Sequence, residues 1–162
     1  MADMFLKMSG VRGESLDAHG HHDEVEISHW TWGLKNSATF AMTDDQSVKQ
    51  ATTDSVVITK KFDRASVTLA GYCAKGQHIN KATITCRKNA GGDAKVEYMV
   101  VELMKVMVID VKYDSNGHVE EQPETVTLSF NQFRITYRIQ HSDGTEGPGH
   151  DFGFDIVSHT EI

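Results

Sequence analysis

Residues 96–111, V-E-Y-M-V-V-E-L-M-K-V-M-V-I-D-V, are apolar on both sides of an extended chain. Strand side chains alternate with a period of two, so Met99, Val101 and Leu103 point one way and Val100 the other. One side can line a core. The other is an aggregation hazard if left bare, so a helix of the same chain or another subunit has to lie on it. The chain is therefore expected to be an assembler, with Val100 and Val106 assigned to a subunit interface.

With 162 residues, residues 1–162 are expected to form a single domain around one core. The formal net charge is -7 and no basic run exceeds Lys60-Lys61, which argues against nucleic acid as a partner. The first ten residues, M-A-D-M-F-L-K-M-S-G, lack the basic and apolar regions of a secretory signal, and no segment approaches the roughly 18 apolar residues of a membrane span. Synthesis and folding in the cytoplasm without membrane insertion are the expectation. Cys73 and Cys86 are too few for a disulfide framework and have no metal spacing, so both read as reduced core thiols.

A strand is expected at residues 4–8, then a histidine-rich turn at 19–22 and a second strand at 25–32. Residues 36–54 turn to Ser, Thr, Asp, Gln and Ala, with Phe40, Met42 and Val48 as the larger apolar side chains, which makes an extended loop. Another strand follows at 56–59. Phe62, Ala65, Leu69 and Tyr72 or Cys73 recur at helical spacing, with Asp63 as N-cap and Gly76 just past the end, so the spacing predicts a helix over 63–75. Alternation at Ala82, Ile84 and Cys86, then N-A-G-G-D, predicts a hairpin into the long strand. In that strand the core phase moves across Met104-Lys105, as at a β-bulge, and the same slip is expected between Phe130 and Phe133. Asp143-Gly144 and Gly147-Pro148-Gly149 break the chain before a last strand with Phe152, Phe154 and Ile156. The pattern is mainly β: a bent antiparallel β-barrel or sandwich with one flanking α-helix.

Two readings of the chemistry are available. Gly13, His19, His21, Glu26 and Gly33 fit a spacing that resembles the first motif of the cupin barrels, so a metal-dependent cupin-like enzyme using His19, His21 and Glu26 is the alternative. The second cupin segment is missing, because Pro148-Gly149-His150 has the wrong spacing and no following Asn. His19, His21 and His22 then sit on a solvated turn, and Asp23, Glu24 and Glu26 are a charged turn and strand edge. No G-x-S-x-G, phosphate-cradling loop or dinucleotide fingerprint is present, so no catalytic residue, cofactor or native metal is assigned.

Several blocks in order carry a family resemblance. They are F-L-K at 5–7 with V-R-G-E-S at 11–15, H-W-T-W-G at 29–33, K-K-F-D-R-A-S at 60–66, K-G-Q-H at 75–78, K-A-T-I-T-C-R-K at 81–88, V-E-Y at 96–98 and residues 124–130. The chain closes with Gly153-Phe154-Asp155, where the family has Trp in the middle. Together these resemble the Hcp family (haemolysin co-regulated proteins), the tube proteins of type VI secretion. The resemblance implies a phage tail-tube-like barrel that forms hexameric rings stacked into a hollow tube. It implies sheath and spike proteins as partners, effector proteins carried or chaperoned in the lumen, and exit through the apparatus without a cleaved signal. It also implies that the loop at 36–54 reaches toward the adjacent ring. Thr31, between Trp30 and Trp32, is the position assigned to lumen and effector contact, where the family carries Ser. Trp30, Trp32 and Met99, Met104 and Met107 read as packing in the core or an interface.

Overall fold

The structure is a computed structural model and describes residues 3–36, 51–118 and 120–162. Its strands are β1 (Asp3–Met8), β2 (Val25–Glu26), β3 (His29–Thr31), β4 (Leu34–Lys35), β5 (Thr52–Thr53), β6 (Val56–Lys61), β7 (His78–Asn89), β8 (Lys95–Tyr113), β9 (Pro123–Ser129), β10 (Gln132–Gln140), β11 (Glu146–Asp155) and β12 (Thr160–Glu161), with helix α1 at Arg64–Lys75 between β6 and β7. The architecture is mainly β and antiparallel, with one helix among the described residues, as the alternation and the single 3.6-residue pattern require.

The 19-residue β8 organises the rest. Its first half lies between β7 and β10, and its second half pairs with β9. The order β12-β11-β10-β8-β7-β1-β2 therefore branches at β8 into a second run, β9-β6-β3. The expected bulge is where the branch begins: Lys105 has φ 55, a left-handed conformation rare outside glycine, and the buried positions step from Val101 and Leu103 to Val106 and Val108 across it. The slip between Phe130 and Phe133 has a different cause. There β9 ends and β10 begins, and the chain crosses from the β6 side of β8 to the β11 side.

Closure into a barrel, the expected form, is not reached by strand pairing among the described residues. β2 pairs with β1 and β3 with β6, and the link between them is Ile27-Ser28, where the chain bends: Ile27 N–H donates to Met4 O (3.1 Å) and Ser28 N–H to Thr59 O (2.9 Å). The 36–54 loop lies mostly outside the described residues; its ends pair as β4 and β5. Gly147-Pro148-Gly149 does not break the chain either. It lies within β11, an edge strand over that stretch, where a proline without an N–H is tolerated, with a register shift opposite Arg138 and Gln140.

Helix α1 starts in a capping box: the Asp63 carboxylate accepts from the Ser66 N–H, and the Ser66 hydroxyl accepts from the Asp63 N–H. It ends at Gly76, whose φ of 62 lets its N–H reach back to Cys73 O. Ala65 and Leu69 are fully buried and join Leu6, Ile58, Ile84, Val101, Leu103, Val106 and Phe133 in one core. The other side of β1, β7 and the start of β8 is not left to a neighbour alone. Residues 12–24 fold over it as a strap whose His21 stacks on Phe5, and Gly13 fits there because any Cβ would meet the Glu24 backbone at 2.3 Å.

Candidate assembly surface and its buried polar anchors

Two charged clusters are enclosed in the subunit. Lys60 shares the inward parity of Val56 and Ile58 on β6, and Glu124 that of Val126 and Leu128 on β9, so the register that pairs them places both charges in the interior. Lys60 Nζ lies 2.6 Å from Glu124 Oε2 and 2.9 Å from Asp63 Oδ1, and donates to Ser66 Oγ at 2.8 Å; the side chains of Lys60 and Glu124 are 0% exposed. Ser66 in turn donates to Glu124. One ion network thus pins the helix N-terminus to two strands. Glu124 Oε1 is buried with no partner among the described residues. The block K-K-F-D-R-A-S at 60–66 is the sequence of this joint.

The strap is held by the second cluster. Arg87 grips Asp17 through both terminal nitrogens (3.0 and 2.5 Å), reaches Asp3 at 3.1 Å, and stands 4.6 Å from the centre of the Phe5 ring. These donors, with the N–H groups of His19 and His21, hold the Asp17 carboxyl well below the usual carboxylate range against the opposing effect of burial. Asp3 is held low first by Lys95 and then by Arg87.

His21 is not on a solvated turn: it stacks on Phe5 at 4.5 Å, with Nδ1 2.6 Å from Glu24 and Nε2 2.8 Å from Glu97. Both ring nitrogens are engaged, His19 is exposed, and Glu26 is exposed on β2. The set His19, His21 and Glu26 is therefore not assembled as a metal site, and among the described residues no three His, Cys, Asp or Glu side chains are placed to hold a metal ion. No helix among the described residues is long and apolar enough to cross a membrane.

The remaining assigned positions separate by burial. Thr31 is exposed on β3 and paired with Val57, while Trp32 faces the core edge to face against Phe133 at 4.9 Å. Val100 is half-buried between Thr85 and Thr136, on the side of β8 opposite Val101. Val106 is 0% exposed: the phase change at Lys105 turns it into the subunit's own core, and it cannot meet another subunit. Exposed apolar side chains that the reading of β8 alone overlooks lie on the outer hairpin, at Tyr137 and Ile139 of β10 and Phe152 of β11. Val67 on the outer side of α1 and Ile109 on β8 are exposed as well. Cys86 is a buried core thiol, with burial pushing its pKa up, and Cys73 is half-buried on α1; neither is bonded to the other.

The family model described as "Type VI secretion system effector, Hcp" matches residues 5–137. The chain is 33% identical over 147 residues to the protein hcp1 of Pseudomonas aeruginosa, covering 91% of this chain and 90% of the relative. The crystal structure of Hcp1 from Salmonella typhimurium superposes with a TM-score of 0.82 at 30% identity, covering 99% of each chain. A structure titled as a type six secretion system protein superposes over 100% of both chains with a TM-score of 0.92 at 23% identity, which bears on the fold. The match over residues 5–137 and the end-to-end relative place the chain in the Hcp family, as a tube protein of the type VI secretion system.

Proposed function

We propose that this tube protein works as a hexameric ring, stacked head to tail into a hollow conduit, with residues 1–162 acting as one tube domain. The observation that carries the ring is the apolar outer hairpin: Tyr137, Ile139 and Phe152 are 44%, 38% and 43% exposed, three large apolar side chains gathered on two paired strands. A ring closes through a heterologous interface, in which two different surfaces of each copy meet. The hairpin supplies one surface; Val67 and Ile109, on other elements, suit the second, and Val100 is assigned to contact beside it.

The role is mechanical and no catalytic step is assigned. Rings form in the cytoplasm, engage sheath and spike proteins, and leave the cell through the apparatus, with effector proteins carried in the lumen and Thr31 on the lumen wall. Negative-stain electron microscopy of purified protein tests the ring: annular particles with six-fold symmetry are expected, and fields of isolated small particles at every concentration refute it.

A further inference from the structure

We propose that the cleft beside the start of α1 is a docking groove for an arginine-bearing segment of a different protein. The cleft has a volume of about 510 Å³, within the range of pockets that hold small ligands, and is walled by four separate stretches that include Glu14, Glu26, Ile27, Phe62, Glu120 and Glu121. Its walls are fixed before anything binds. Phe62 N–H donates to Gln122 O at 2.8 Å, Ser15 N–H to Glu24 O at 3.0 Å and Ser28 N–H to Thr59 O at 2.9 Å, and the Lys60 network holds Asp63.

The groove has an aromatic anchor. Phe62 is 48% exposed, yet its ring is kept in place by an edge contact with Tyr113 at 5.5 Å. Around it the charge is one-sided: Lys61 is paired with Glu121, while the side chains of Glu14, Glu26 and Glu120 have no ion pair or hydrogen bond among the described residues. The carboxylates are spread along the groove instead of converging, so they suit an extended cationic segment and not a metal ion. An aromatic face flanked by free carboxylates favours guanidinium over ammonium, because the planar group stacks on a ring and still gives paired N–H donors to carboxylate.

The occupant is not a second copy of this chain. All five of its arginines are engaged within the subunit: Arg12 with Asp23, Arg64 with the Gly13 carbonyl, Arg87 with Asp17 and Asp3, Arg134 with Asp151, and Arg138 with Glu146. A guanidinium from another protein fills the groove without breaking any of these pairs.

The test uses the protein as purified and an N-acetylated, C-amidated peptide, Ser-Leu-Arg-Leu-Arg-Ser, titrated by calorimetry against versions with Lys or Glu in place of Arg. Saturable binding of the Arg peptide at one site per subunit is expected, several-fold weaker with Lys, and absent with Glu. A triple variant, Glu14→Gln, Glu26→Gln and Glu120→Gln, weakens the Arg peptide by about tenfold or more. Phe62→Leu, which keeps apolar bulk and removes the ring face, weakens it by about threefold or more. Circular dichroism and particle mass of each variant confirm that fold and assembly are unchanged. No saturable binding up to about 1 mM, equal binding of Lys and Arg peptides, or full binding by the triple variant overturns the proposal.

Discussion

Neutralising Glu124 while leaving Lys60 in place tests how the helix is fastened to the sheet. The two charges lie 2.6 Å apart with both side chains fully enclosed. At an effective dielectric constant near 20 their attraction is about 6 kcal/mol, against a desolvation cost of several kcal/mol for each ion. The pair is thus near break-even as a whole, but removing one member strands the other, at about 3–5 kcal/mol. Glu124→Gln falls at the lower end, about 3 kcal/mol, because Asp63 still faces Lys60 at 2.9 Å. The double variant Lys60→Met/Glu124→Leu removes both charges at similar volume, and also removes the unpartnered Glu124 oxygen, so it stays within about 1 kcal/mol of the parent. Urea unfolding followed through Trp30 and Trp32, at one fixed subunit concentration, reads both. With a slope of about 1–3 kcal/mol per molar, the single variant lowers the midpoint by about 1–3 M. A single variant that unfolds at the parent's midpoint, or a double variant as unstable as the single, refutes the ion network as the fastening.

Asp17 gives the strap an acid sensitivity. Its carboxyl is lower in the folded chain than the ordinary 3.8, so its contribution is complete at neutral pH and fades as pH falls below about 4. Asp17→Asn is expected to cost about 1.5–3 kcal/mol at pH 7, and the gap to the parent should close in acid; a gap constant down to pH 3 contradicts the Arg87 grip as its source. Tyr137→Arg/Ile139→Asp should turn rings into folded subunits, read as a drop in particle mass with an unchanged circular dichroism spectrum, and retention of ring mass removes the hairpin from the interface. Val106→Asp should instead unfold the subunit, by about 4 kcal/mol or more, since it places an unpaired charge in the core; a folded monomer would return Val106 to the surface. Thr31→Arg should leave ring mass unchanged while altering which effectors co-purify, and unaltered cargo counts against a lumen position.

The helix was legible because its signals are local: Asp63, the spacing of Ala65 and Leu69, and Gly76 fix both ends without reference to the sheet. The phase change at Lys105 was legible as well, since the apolar residues on either side of it keep opposite parity. Other features depend on contacts distant in sequence. His21 reads as a turn residue until Glu97 and Phe5 are brought beside it. Lys60 reads as half of a basic pair, although its parity with Val56 and Ile58, matched by Glu124 with Val126 and Leu128, was the available signal that it points inward. Val106 reads as an interface residue because one strand taken alone shows two apolar sides and does not show that the sheet branches there, which sends that side into the core. The outer hairpin is legible in part: Phe152 and Phe154 mark its last strand, but G-P-G at 147–149 looks like a stop, and only pairing with β10 shows that the strand begins before it.

Light scattering on protein eluting from a sizing column measures most directly whether exposed apolar surface on one copy is covered by identical copies in a closed circle. The account predicts one species of roughly six times the 18.0 kDa subunit mass, unchanged over a hundredfold dilution about the micromolar range. A stable particle of 18.0 kDa at high concentration contradicts it.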